Sequence, residues 1–169
     1  NEIVGCSATI SSFVLRVEAG DEDIVFIPDA NFKAKIIQLG HDTNNDGEIQ
    51  ISEARAVQSM DVSNSNISDF TGVNSFIYLT HFNGRTNNAT SFDTTGLYFL
   101  VNLFIDNNPL TTVNLVDLYN IIMLDVSATE LTYIDLSKIT HNIEFFCSEN
   151  PNLQQLNIKN GVQGNIYIG

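Results

Sequence analysis

From Leu79 to Ile168 the apolar positions recur on one period. Phe82, Leu103, Leu124, Phe145 and Ile166 stand 21 residues apart, and Gly84, Ile105, Val126, Cys147 and Ile168 keep the same step two places further on. Asn87, Asn108, Thr129 and Asn150 follow three places after that second column. Leu110 and Leu131, Val113 and Ile134, and Leu115 and Leu136 stay in step through the middle repeats. An apolar residue at every second place predicts a short strand with one buried face. The Asn predicts a turn, because its side chain can bond backbone groups that a bend leaves unpaired. A second apolar phrase, such as Leu131 to Leu136, sends another row inward on the far side of the coil. One coil cannot bury these rows, whereas stacked coils can, so the period predicts a solenoid.

The repeat is not uniform. Met60 and Val62 take the first two ladder positions, and Met60 to Phe82 is 22 residues, one more than the later steps. Gly84 brings no side chain to an inward row, so a gap is expected there. At Asn152 and Leu153 the second phrase slips by one residue. Ile166 and Ile168 occupy ladder positions just before Gly169. An uncapped last coil invites edge pairing. The chain is therefore expected to be part of a larger one, or to associate with another molecule through its last strand.

Residues flanking the ladder should point out of the strand sheet. Three outward columns result: Ser59, His81, Asn102, Met123 and Glu144; then Asp61, Asn83, Phe104, Asp125 and Phe146; then Ser63, Arg85, Asp106, Ser127 and Ser148. Phe104 and Phe146 are large aromatics where water is expected. They are candidate apolar anchors for a ligand, with Arg85, Asp106 and Asp125 setting polarity. The alternative is that the rings cover one another or neighbouring loops.

Before the repeats, Pro28 and Asp29 signal a helix start, Phe32, Ile36 and Leu39 follow at helical spacing, and Gly40 ends the pattern. The twelve residues from Asp42 to Glu53 match D-x-[DN]-x-[DN]-G-x5-E, the EF-hand calcium loop. Calcium takes six to eight hard oxygen ligands on a flexible frame. Asp42, Asn44 and Asp46 would offer side-chain oxygens, Glu48 its backbone carbonyl, and Gln50 a bound water. Glu53 would close the site with two oxygens, Gly47 permits the bend, and Ile49 faces the core. With no second loop to pair with, the expected ion is structural Ca2+ rather than a signal. The competing reading is a solvated acidic turn before a helix capped by Ser52.

Composition narrows the partners. The chain carries 20 acidic and 7 basic residues, a net charge of −13. That argues against nucleic acid and anionic membrane, and favours cations, basic partners or neutral sugars. No apolar run reaches the length of a membrane span. The sequence holds no complete signal peptide, which is compatible with one having been removed. Two cysteines are too few for a disulfide framework. Cys147 takes an inward position and Cys6 is not expected to pair with it. Ile3 to Cys6 resembles the cleavage box of a bacterial lipoprotein signal, but the regions that should precede it are absent, and Cys6 is read as ordinary sequence. His41, His81 and His141 have no ligand spacing, and no nucleophile, zinc or phosphate-loop motif of an enzyme is present.

The phrase from Leu100 to Leu115, LVNLFIDNNPLTTVNL, resembles the leucine-rich repeat. The stretch from Ile27 to Ala54 directly before such repeats resembles the amino-terminal cap of bacterial surface proteins with internalin-like repeats. The resemblance covers most of the chain, and relatives of that kind are secreted or surface-attached and bind proteins or sugars. The expected fold is an α+β repeat solenoid of leucine-rich repeats with a short helical cap. Its expected parts are a strand segment over 1–27, the cap with its calcium loop over 28–59, and the solenoid over 60–169. The expected function is an extracellular, non-enzymatic recognition or adhesion module, binding protein or glycan on the concave repeat face. The alternative is an accessory targeting or spacer domain of a larger secreted hydrolase.

Overall fold

A computed structural model describes residues 20–158 and 165–167. Residues 24–27 run extended after a turn and form one antiparallel bridge, Ile24 to Gln50. The first nineteen residues of the expected strand segment over 1–27 lie outside the described residues, Cys6 among them.

Helix α1 (Ala30–Gln38) begins where Asp29 caps it: one carboxylate oxygen accepts the amides of Asn31 and Phe32, both at 2.9 Å. The other oxygen accepts the amides of Ser68 and Asp69, which ties the cap to the first coil. At the far end Gly40 adopts φ +82, and the amides of Gly40 and His41 return to the carbonyls of Ile37 and Ile36. These paired bonds form a Schellman turn, which needs a left-handed residue where a Cβ would be strained. Phe32 and Ile36 are fully buried, while Leu39 is exposed. Helix α2 (Ile51–Ala56) follows the acidic loop.

The remainder is coil upon coil. Six three-residue strands form one parallel sheet: β1 (Ser59–Asp61), β2 (His81–Asn83), β4 (Asn102–Phe104), β6 (Met123–Asp125), β8 (Glu144–Phe146) and β10 (Asn165–Tyr167). The register runs Met60, Phe82, Leu103, Leu124, Phe145, Ile166, which is the inward column read from the sequence. On the far side β3 (Ser91–Asp93) pairs with β5 (Thr112–Asn114), and β7 (Tyr133–Asp135) with β9 (Gln155–Asn157), both parallel. In the last pair Tyr133 faces Gln155, a step of 22 rather than 21, so the slip at Leu153 is real. A 3-10 turn, η1 (Val73–Ser75), completes the first coil.

Phe82, Leu103, Leu124 and Phe145 are all fully buried. The gap expected at Gly84 is closed. A Cβ there would stand 2.7 Å from the Phe82 ring and 3.0 Å from the Phe70 ring. The large neighbours fill the row, and glycine makes room for them. Phe70 meets Phe32, Phe82 and Phe92, each with ring centroids 5.5 Å apart, so aromatic packing joins α1 to the first coils. Cys147 is a buried free thiol; burial pushes its pKa up, and the Asp125 carboxylate adds to that.

Beyond each of the first five sheet strands the chain bends through a left-handed residue: Asn64, Thr86, Asn107, Ala128 and Glu149. The amides of Asn64, Thr86, Asn107 and Ala128 donate to carbonyls of the next coil: Arg85, Asp106, Ser127 and Ser148. The turn Asn then seals the bend. Asn108 Nδ2 donates to the carbonyls of Gly84 (2.9 Å), Ile105 (3.1 Å) and Asp106 (3.2 Å), and its Oδ1 accepts the Ala89 amide. Asn87 and Asn150 likewise bridge two coils. Where the column holds Thr129, its hydroxyl turns to Val126 of its own coil and to Asn150 of the following one.

Candidate functional site

Two regions carry the residues singled out by sequence. The first is the loop from Asp42 to Glu53. Asp42, Asn44 and Asp46 are tied together by the backbone of the loop. The Asp46 amide donates to Asp42 Oδ1 (3.2 Å) and Asn44 Oδ1 (2.9 Å), and the Gly47 amide donates to Asp42 Oδ2 (3.0 Å). Gly47 adopts φ +83, the bend that its lack of a Cβ permits. Gln50 Nε2 donates to Asp46 Oδ2 at 2.7 Å, and the amide donated by Glu48 holds the Asp46 carboxyl below its ordinary pKa. The Glu48 side chain pairs with Lys33 on α1.

Glu53 spans the loop. Its Oε1 accepts the Thr43 amide (2.6 Å) and hydroxyl (2.7 Å), and Oε2 accepts the Gln50 amide (3.0 Å). Burial penalises its charge, but these donors outweigh burial and leave its pKa below the usual value. Helix α2 is therefore capped through Gln50 and Glu53, not through Ser52. Ile49 is fully buried, and its carbonyl accepts the Val25 amide while the Ile51 amide donates to Asp23. The extended 24–27 stretch thus occupies the flank where a second loop would pair. Among the described residues no three His, Cys, Asp or Glu side chains gather closely enough to hold a metal ion. The donor chemistry and the Gly47 bend suit calcium, but the Glu53 oxygens are engaged by amides and the Thr43 hydroxyl.

The second region is the outward face of the six-stranded sheet. The register places Asp61, Asn83, Phe104, Asp125, Phe146 and Tyr167 in one column. Arg85 reaches across three coils. Its Nε donates to Asp106 Oδ1 and its Nη2 to Asp125 Oδ2 (3.1 Å), while the guanidinium carbon lies 4.1 Å from the centre of the Phe104 ring. Burial works against its charge, yet the two carboxylates prevail and raise its pKa. Asp106 is itself buried. Four of the five expected residues, Arg85, Phe104, Asp106 and Asp125, thus form one cluster. Phe146 is the register neighbour of Asp125 but its ring stacks on Tyr167, with centroids 4.6 Å apart and planes 6° apart. Both Phe104 and Phe146 stay half-buried.

A third feature was not singled out from the sequence. Tyr78, Tyr98, Phe99 and Tyr119 are exposed on the turns leading into β2, β4 and β6. The signal was available, since Tyr78 to Phe99 and Tyr98 to Tyr119 both repeat the 21-residue step.

No family model and no curated protein matches the chain. Solved structures that resemble it include two from Listeria monocytogenes. One is the functional domain of InlJ from Listeria monocytogenes, which includes a cysteine ladder: TM-score 0.63, 23% identity, over 85% of this chain and 37% of that one. The other is an internalin, inlF, from Listeria monocytogenes strain 4b F2365: TM-score 0.58, 16% identity, over 85% of this chain and 52% of that one. The chain thus spans about a third to a half of the structures it resembles. What it shares with them is the fold, a leucine-rich-repeat solenoid of parallel strands with a 21-residue turn.

Proposed function

We propose that this chain is a non-enzymatic recognition module of a secreted or surface protein, binding a protein or glycan through the outward face of its six-stranded sheet. The observation that carries this is the division of labour along each strand. The inward residues supply the core, while the outward side chains of successive coils line one continuous face with aromatics, carboxylates and a guanidinium. Surfaces of that mixed kind suit recognition, where a few aromatic and arginine contacts dominate affinity. The fold shared with internalin structures supports the same reading. Screening the protein on protein and glycan arrays tests it. Phe146→Ala should weaken capture of any ligand found by about tenfold, roughly 1.4 kcal/mol. If binding and melting temperature fall in proportion, the ring belongs to packing with Tyr167.

The same reading includes a structural calcium ion in the Asp42–Glu53 loop. Its support is the donor set, the turn at Gly47 and the closure of the loop by Glu53. Calcium would exchange the amide partners of Glu53 for the ion and lock the cap on the first coil, stabilising the folded state by preferential binding. An unpaired loop suits the weak extracellular range, about 10⁻⁴–10⁻³ M. Melting in excess calcium should exceed melting in chelator for the wild type, with the difference reduced in Glu53→Gln. Identical melting in both conditions, with no heat of binding, would make the loop an acidic turn only.

A further inference from the structure

Four rings stand outside the core at one rim of the sheet. Tyr78, Tyr98, Phe99 and Tyr119 are 46%, 46%, 47% and 64% exposed. They pair across adjacent coils: Tyr78 with Phe99 at 5.6 Å, and Tyr98 with Tyr119 at 6.0 Å with planes 9° apart. Tyr98 and Phe99 are chain neighbours, so the two pairs run side by side over three coils. The core does not need them. Leu79, Leu100 and Ile121 on the same turns are fully buried and fill the inward row. Exposed rings grouped in this way mark an interaction surface.

Charge selects the occupant. The stretches 77–81, 98–102 and 119–123 hold no Lys or Arg, and the net charge of the chain is −13. The Asp117 carboxylate touches the strip: one oxygen accepts the Tyr119 hydroxyl at 3.1 Å and the other the Gly96 amide at 2.9 Å. Aromatic faces attract cations, and a planar guanidinium stacks on them with less desolvation than an ammonium. The molecule already makes one such contact internally, Arg85 over Phe104. Beside the rings the Asn120 amide donates to the Tyr98 carbonyl (2.8 Å) and the Tyr119 hydroxyl to Asp117. We propose that this strip docks an arginine-bearing basic segment of a partner protein, with guanidinium groups stacked on the rings and Asp117 as counter-charge. The site is separate from the sheet face and does not rest on that reading.

Fluorescence anisotropy with labelled eight-residue peptides of alternating Arg and Gly, Lys and Gly, or Glu and Gly tests this. The arginine peptide should bind at least tenfold tighter than the lysine peptide, and the glutamate peptide not at all. Tyr98→Ala with Tyr119→Ala leaves the net charge unchanged and should lose at least tenfold in affinity. Tyr119→Ser alone, a milder change at the most exposed ring, should lose at least threefold while melting as the wild type does. Phe146→Ala should leave this affinity as it is, which keeps the outcome distinct from that of the sheet face. Equal affinity for the arginine and lysine peptides, or full binding by the charge-neutral variants, would reduce the effect to general attraction by an acidic protein and overturn the proposal. Capture of a neutral oligosaccharide that is lost in the double variant would overturn it in favour of a sugar site.

Discussion

At the residue scale the turn asparagines matter because they hold buried backbone groups on both sides of a bend. Asn108 is 2% exposed and bonds three carbonyls and one amide from two coils. The Gly84 and Asp106 carbonyls also accept from Asn87 and the Thr86 amide, so Asn108→Ala would strand the Ile105 carbonyl and the Ala89 amide in a dry interior, at a cost of about 3 kcal/mol. Thr129→Ala, which removes one hydroxyl, should cost about 1 kcal/mol. Urea unfolding of the two variants checks the order; equal costs would mean water replaces the Asn108 amide. The asparagine column was legible because an amide carries a two-proton donor and a separate acceptor, and so can bond both sides of a bend at once. The left-handed column was not, since its members Asn64, Thr86, Asn107, Ala128 and Glu149 share no chemistry. There the backbone of the next coil imposes the conformation, whatever the side chain.

At the element scale the acidic loop and its helix act as a unit through Glu53. Its folded-state pKa lies below the ordinary value, so folding is favoured by its ionised form. That contribution is complete above the unfolded carboxylate pKa, about 4.3, and fades as pH falls through the lower folded value. In chelator, the melting temperature of the wild type should therefore drop on acidification below about pH 4 more steeply than that of Glu53→Gln. Parallel pH profiles would show that Glu53 is not the group responsible. The loop was readable because each position has a chemical reason. The role of the 24–27 stretch beside it was not readable, because pairing with Ile49 uses backbone groups that every sequence offers. The sheet-face cluster was half legible: the period put Phe104, Asp106 and Asp125 on one side, but only the long reach of Arg85 joins them.

At the scale of the whole molecule, the cap and the coils are one cooperative body because Phe70 sits at their junction. It is 3% exposed and meets rings from α1, β2 and β3. Phe70→Ala should cost about 3–5 kcal/mol by opening a cavity there. It should also split thermal unfolding into two transitions followed by calorimetry, the cap first; a single sharp transition at lower temperature would show that Asp29 and its bonds to Ser68 and Asp69 suffice to keep the parts together. The 21-residue period foretold the stack from the sequence alone, and the slip at Leu153 survived into the structure as a 22-residue register. The tight fit at Gly84 was not foretold, since a missing side chain looks like a void until its neighbours are known.

The stacked ladders have a mechanical consequence. Their hydrogen bonds point from coil to coil, along the long axis, so a force that draws the two ends apart loads each ladder in tension rather than in shear. Such ladders open one bond row at a time, as a zip does. Held between a surface and a cantilever, the molecule should yield in successive low-force steps, each releasing one 21-residue coil, about 70 Å of chain. A single high rupture followed by full extension would mean that the side-chain rows, and not the backbone ladders, bear the strain. A protein built this way lengthens under a pull before anything it holds is torn away.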